Sequence, residues 1–265
     1  MTETGPAVTG RRADGSAGDA DYGRIGQGYA AYRQPEPAIA ALIEAALGPA
    51  GSILNVGAGA GSYEPRGRAV TAVEPSASMR GQRPAELSAA IDATAEALPF
   101  ADRSFDAGMA TFTVHQWRDL EAGLREMRRV TRGPVVILSC DPQLVQDFWL
   151  NDYAPEVLAT EARRYPSLAH LGAELGGSVE IKAVPIPLAC RDGFNEAYYG
   201  RPECLLDAGA RAACSAWSFV GEDENAASLD RLRRDLESGA WDARHGALRR
   251  QPHYAGSLSL LVARP

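Results

Sequence analysis

The chain has 265 residues, enough for one large domain or two small ones around a full hydrophobic core. A composition of 45% apolar and 23% charged residues excludes a collagenous, coiled-coil or wholly disordered protein. The formal net charge of -7 and a pI near 5.2 argue against a nucleic-acid-binding surface and for a small or neutral partner. Lys182 is the single lysine, so arginine carries nearly all the positive charge. Cys140, Cys190, Cys204 and Cys214 lie far apart without C-x-x-C spacing, which points to free thiols in a reducing compartment and away from a zinc site or a disulfide framework. Residues 1–22 are rich in Gly, Ala, Asp and Thr and lack an apolar stretch, so a disordered tail without a secretory leader is expected. Nowhere does an uncharged apolar run approach the ~20 residues that span a bilayer, and a soluble, cytoplasmic protein is the expectation.

In chain order, Ile39, Leu42, Ile43, Ala46 and Leu47 follow helical spacing, with Pro37 near the start and Gly48 placed to end the helix. Short apolar runs follow at Ser52–Val56, Ala69–Glu74, roughly Ala89–Ala93, Phe105–Thr113 and Pro134–Cys140. They are continuous, as in parallel strands covered on both faces. Between the last two, Leu120, Leu124, Met127 and Val130 mark one apolar face of a crossover helix. This alternation reads as α/β. Past Asp141 helical material is expected from about Gln143 to Leu175, then a strand at Val179–Pro185 and a last strand at Ser257–Val262. The stretch between these strands holds the helix-periodic Leu229, Leu232 and Leu236 and an aromatic group of Phe194, Tyr198, Tyr199, Trp217 and Phe219. We read residues 23–265 as one domain with a cap inserted at about 188–254. Its aromatics either wall a ligand pocket, with Tyr198 and Tyr199 on substrate, or fill a core.

The chemistry concentrates where the strand Ile53-Leu54-Asn55-Val56 runs into Gly57-Ala58-Gly59-Ala60-Gly61. Alternate glycines let backbone approach a ligand without a Cβ in the way. The dinucleotide fingerprint G-x-G-x-x-G would need glycine at position 62, where the chain has Ser62, which disfavours a nicotinamide-dependent oxidoreductase. Glu74 ends the neighbouring strand, where an acid can hold both hydroxyls of a ribose; a solvated glutamate is the plainer reading of that position alone. Pro75, Ser76 and Met79 follow, and Met79 either lies against a flat base or fills core.

With the segment Ala93-Thr94-Ala95-Glu96-Ala97-Leu98-Pro99-Phe100 and the Ser104-Phe105-Asp106 opening of the fourth strand, these blocks resemble the class I S-adenosylmethionine-dependent methyltransferases, in particular the ubiquinone and menaquinone branch that acts on small molecules. The resemblance covers roughly Tyr29 to Pro142. It implies a doubly wound, Rossmann-like, mostly parallel seven-stranded sheet with a helical cap. It implies S-adenosylmethionine as cofactor, with Gly57, Ala58, Gly59 and Gly61 along the methionine moiety, Glu74 on the ribose, Ser76 and Met79 beside the adenosine, and Thr94-Ala95-Glu96 at the adenine edge. Thr94 stands where many relatives carry aspartate, and only eight residues, interrupted by Pro65, separate Gly61 from Val70, so the helix after the glycine turn must be very short. The stretch Thr113-Val114-His115-Gln116-Trp117 faces the sulfonium in such proteins, making His115 the candidate substrate-contacting base and Trp117 a candidate substrate contact; a hydrogen-bonded histidine in a capping turn is the alternative. Tyr29-Ala30-Ala31-Tyr32-Arg33-Gln34-Pro35 resembles the Y-x-x-Y-R-x-P segment that covers the cofactor, with Arg33 on the methionyl carboxylate and Tyr29 closing the site, unless Arg33 is a plain surface residue.

His170, His245 and His253 have no acids at ligand spacing, and H-E-x-x-H, Walker and G-x-S-x-G motifs are missing, so no metal is expected. The expected activity is methyl transfer to an oxygen or nitrogen, or a carbon, of a small molecule such as a secondary metabolite, with no nucleic-acid or membrane partner and with room for a homodimer or a protein partner. The alternative is a protein of the same fold that has lost methyl transfer and serves another enzyme or a different reaction.

Overall fold

The computed structural model describes residues 29–265; for residues 29 and 30 it describes the backbone alone. The expected tail at 1–22 lies outside the described residues. A four-residue helix α1 (Tyr29–Tyr32) precedes α2 (Pro37–Leu47), which starts on Pro37, is capped by the Glu36 side chain accepting from Ala38 N, and ends at Gly48 with φ 60°. Ile39, Ile43 and Leu47 form its buried face.

The sheet is built from β1 (Ser52–Val56), β2 (Ala69–Val73), β3 (Ala107–Thr111), β4 (Val135–Cys140), β5 (Ser178–Ala183) and β8 (Leu258–Arg264), in the order β2-β1-β3-β4-β8-β5. β2, β1, β3 and β4 pair in parallel, whereas β8 runs antiparallel to both β4 and β5. The result is six strands where seven were expected. At Ala89–Ala93 only Ile91 pairs, through one parallel bridge to Val73 that trades hydrogen bonds with Ala72 and Glu74. Its flank Ser88-Ala89-Ala90 carries too little apolar side chain to cover a further strand, and Ile91 itself is exposed.

No helix forms between β1 and β2. Gly57, Gly59, Gly61 and Gly67 all take positive φ, and Pro65 interrupts the remainder, so the chain descends through turns. After β2 comes α3 (Ala77–Arg80), capped by Ser76 Oγ on Met79 N. The crossover helix α4 (Leu120–Val130) forms as expected, with Asp119 accepting from Ala122 N at its start and Gly123, Leu124, Met127 and Val130 buried against the sheet. The material expected from Gln143 to Leu175 breaks into α5 (Pro155–Arg164) and α6 (Leu168–Leu175) after two 3-10 turns, because Pro155 opens one helix and Pro166 separates it from the next.

A two-residue ladder of β6 (Ile186–Pro187) and β7 (His253–Tyr254) closes the base of the segment between β5 and β8. That segment carries α7 (Ala208–Ala212), α8 (Glu222–Ser238) and α9 (Ala240–His245) with several 3-10 turns. It merges with α2 and α5 into one core over a face of the sheet, while α4 and α6 cover the opposite face. Aromatic rings fill the cap: Trp149 lies edge-on to Trp241 at 5.3 Å and donates to the Tyr199 carbonyl, and Tyr199 stacks on Tyr254. Among the described residues no helix is long and apolar enough to cross a membrane.

Candidate active site

The carboxyl ends of β1, β2 and β3 open into a solvent-accessible cleft whose empty space amounts to about 890 Å³. Gly57, Ala58 and Gly59 form one wall, Glu74, Pro75 and Met79 a second, and Thr94, Ala95 and Glu96 a third. Thr113 and Trp117 line it from the turn after β3, and Arg33 closes it from the N-terminal side. Twelve positions expected from the sequence therefore meet in one place. The turn is held by Gly57 N and Ala58 N, which both donate to the Val73 carbonyl at 2.9 Å. Gly57 has no alternative: with φ 68°, an added Cβ would stand 2.0 Å from Thr113 Oγ1.

Glu74 is 7% exposed, and its two carboxylate oxygens accept from Gly59 N and Ser76 N, each at 2.8 Å. Burial nevertheless pushes the carboxyl above its ordinary range, with the two amides and Arg80 and Arg83 pulling it back. Each oxygen keeps acceptor capacity toward the cleft. Glu96 is tied to the start of α4, accepting from Arg118 N at 2.8 Å and Asp119 N at 3.2 Å.

Several expected positions fall elsewhere. Gly61 does not line the cleft; its open face meets Leu87 and Arg83, so it is a packing position. Ser76 is 1% exposed and spends its hydroxyl on capping α3. Tyr198 and Tyr199 line neither cavity and sit in the cap core, where Tyr199 Oη donates to the Gln251 carbonyl at 2.6 Å. Both are apolar rings at most 6% exposed, and core filling takes them. The Tyr29 side chain lies outside the described residues.

Arg33 does not stand as a bare cation. It pairs with the buried Asp192 of the cap, lies 4.9 Å above the Phe112 ring, and donates to the Ala213 carbonyl. Asp192 also accepts from Tyr63 Oη at 2.8 Å, and burial and that carboxylate push the Tyr63 hydroxyl far above its ordinary range. Tyr63, Phe112, Gln116 and Asp192 are cleft residues that the sequence reading missed. Tyr63 and Phe112 take positive φ of 64° and 52°, a strained geometry for non-glycine residues that clusters at functional sites. Nothing in apolar spacing signals it. Asp192 comes from a segment far away in sequence, so only the closed cap brings it here.

His115 lies in the wall of a second cavity of about 490 Å³, with its ring 4.5 Å from that of Tyr165. Arg33 and Phe112 belong to the walls of both cavities, so the two adjoin. The four cysteines are free, and among the described residues no cluster of three or more metal-ligating side chains exists.

A model of the methyltransferase domain matches residues 54–137, the glycine turn through β4. A putative methyltransferase from an antibiotic biosynthesis pathway of Anabaena variabilis is 30% identical, with a TM-score of 0.82 over 88% of this chain and 99% of that one. The chain belongs to the class I S-adenosylmethionine-dependent methyltransferases. A methyltransferase of Thermotoga maritima, described as a possible histamine N-methyltransferase, shares the fold at 14% identity and a TM-score of 0.51. Among curated relatives, malonyl-[acyl-carrier protein] O-methyltransferase of Pseudescherichia vulneris is 35% identical over 122 residues, 43% of this methyltransferase and 48% of that protein. An uncharacterized Escherichia coli protein is 32% identical over 77 residues, 37% of its length. The match thus spans about half or less of these curated relatives.

Proposed function

We propose that this methyltransferase binds S-adenosylmethionine in the glycine-turn cleft and methylates an oxygen or nitrogen of a small molecule held in the adjoining cavity. The observation that carries the reading is the junction at Arg33 and Phe112, where the glycine-turn cleft meets a second, smaller chamber. The donor set suits the cofactor. Glu74 offers a buried carboxylate with acceptor capacity for a ribose diol, the Gly57–Ala60 backbone comes close without side chains, and Met79 with Thr94–Glu96 forms a flat slot for a base. Bound there, S-adenosylmethionine supplies a methyl group on a positively charged sulfur, open to in-line displacement.

The chain's own contribution is placement. Confining acceptor and donor side by side supplies up to ~7 to 11 kcal/mol of the barrier in favourable cases. Phe112 and the Arg33–Asp192 pair form the partition, Trp117 packs beside the cofactor side, and His115 contacts the acceptor from the smaller chamber. Because Asp192 already compensates Arg33, this arginine works as a latch between N-terminal segment and cap more than as a dedicated carboxylate clamp. The small volume and the net charge of -7 favour a small acceptor over nucleic acid, and the Anabaena relative's pathway favours a specialised metabolite.

Calorimetric titration of the purified protein with S-adenosylmethionine and S-adenosylhomocysteine tests the reading. Micromolar binding of both, about 8 kcal/mol, is expected. Undetectable binding of either would return the chain to the alternative of a methyltransferase fold without methyl transfer.

A further inference from the structure

The acceptor cavity contains an acid that the sequence reading did not single out. Glu161, on α5, lines that cavity together with Arg164, Tyr165 and Asn195. Asn195 Nδ2 donates to Glu161 Oε2 at 2.6 Å, and Trp217 Nε1 donates to Asn195 Oδ1 at 3.0 Å. An indole N–H can only donate, so it forces the amide oxygen toward itself and the amide N–H toward the carboxylate. Asn195 and Trp217 are 2% and 5% exposed, so the relay is fixed by packing as well as by hydrogen bonds. Glu161 is thereby held as an acceptor with one oxygen engaged and further acceptor capacity facing the chamber.

The groups around it set its charge. Burial pushes the carboxyl above its ordinary range, while Asn195, Arg164 and Arg33 pull it back. His115, Tyr165 and Cys214 share the cavity wall, and Cys140 and Glu196 stand behind it. Both arginines also hold other partners: Arg33 pairs with Asp192, and Arg164 donates to Ser215 Oγ at 2.9 Å and lies over the Phe219 ring. A carboxylate acceptor placed beside Glu161 would meet a like charge at close range.

Resting on the function proposed above, we propose that Glu161 takes the proton of the methyl acceptor, and that this acceptor is a small protic nucleophile, a hydroxyl or an amine. The acceptor's heteroatom forms its bond to the methyl carbon as the sulfur–methyl bond breaks and leaves its electron pair on sulfur. The heteroatom's proton passes to Glu161, so the product leaves without an added charge. The buried position raises the basicity of the carboxylate above that of an exposed glutamate, the direction that favours a general base. The relay through Asn195 from Trp217 keeps its lone pair aimed while substrate and product exchange.

The test uses the full chain with S-adenosylmethionine and a panel of phenols, aliphatic alcohols, primary amines and carboxylic acids, following S-adenosylhomocysteine release. Methylation of phenols, alcohols or amines is expected. Glu161→Gln should lower kcat about 100-fold or more, abolish the acidic limb of the pH profile, and leave S-adenosylhomocysteine binding unchanged; Glu161→Asp should recover part of the rate. Independently of turnover, carbon NMR of glutamate-labelled protein should show, beside the raised carboxyls of Glu74 and Glu196, a further carboxyl titrating above the ordinary range in the wild type and missing in Glu161→Gln. An unimpaired Glu161→Gln, methylation of carboxylic acids alone, or no protic probe methylated while S-adenosylhomocysteine binds would each overturn the assignment and spare the cofactor site. A wild type that fails to bind S-adenosylhomocysteine would overturn both.

Discussion

Glu74, assigned to the ribose in the proposed function, is held by two backbone amides in a buried position, and that burial works against its charge. Glu74→Gln removes charge-assisted acceptance worth about 1.5–3 kcal/mol per hydrogen bond. S-adenosylhomocysteine affinity should fall tenfold or more by calorimetry, and unchanged affinity would reject the ribose role. Because burial raises this carboxyl, protonation begins above the ordinary 4.5, and wild-type affinity should weaken as pH falls toward that range. At Gly57 the constraint is steric. Gly57→Ala puts a Cβ against Thr113 in a backbone conformation with φ 68°, and a loss of about 1–3 kcal/mol, read as a lower Tm, is expected. Both residues were legible in the sequence because a strand running into alternating glycines, followed by an acid ending the next strand, leaves little freedom. Gly61 and Ser76 were assigned to the ligand by the same reasoning and belong to packing and capping, since spacing reports proximity along the chain but not direction.

Elements with a single apolar face and an explicit cap were read accurately. In α4 the Leu120, Leu124, Met127 and Val130 stripe sets the buried side and Asp119 sets the start. Asp119→Ala should cost about 1 kcal/mol of stability in chemical denaturation, with no effect on S-adenosylhomocysteine affinity; a null effect on stability would show that tertiary packing alone defines that terminus. Where prolines punctuate, as at Pro155 and Pro166, one expected helical stretch became two helices and two 3-10 turns. The expected strand at Ala89–Ala93 reduced to a bridge at Ile91, because small residues bury too little to hold a sheet edge. Tyr198 and Tyr199 show the converse: aromatic content announced a burial site, and whether that site was pocket or core depended on how the cap closed.

On the scale of the whole molecule, the cap is fastened to the sheet by buried polar groups that titrate. Glu196, in the cap, accepts from Ser257 N at 2.9 and 3.1 Å just before β8, and burial raises its carboxyl from 4.5 to about 7. A carboxyl whose folded pKa is raised binds its proton more tightly in the native state, so its stabilising contribution is full below about 4.5 and is lost as pH rises toward 7. Glu196→Gln should therefore flatten the decline of unfolding free energy across that window. Parallel slopes for variant and wild type would remove Glu196 as its source. The same fastening delivers Asp192 to Arg33 and Tyr63, and Asn195 with Trp217 to Glu161, so the smaller cavity is completed where the cap meets α5 and the turn after β3.

The sequence by itself determined the α/β class, four parallel strands, the crossover helix, and the gathering of the glycine turn, Glu74 and Thr94–Glu96 around one cleft, because local backbone constraints and short-range periodicity encode these. Tertiary structure alone decided which wall each residue faces, the strained turns at Tyr63 and Phe112, and the pairing of Asp192 and Asn195 with partners far away in sequence. Those contacts depend on chain closure over long separations, where burial of an aromatic core outweighs any local preference and leaves no pattern along the chain.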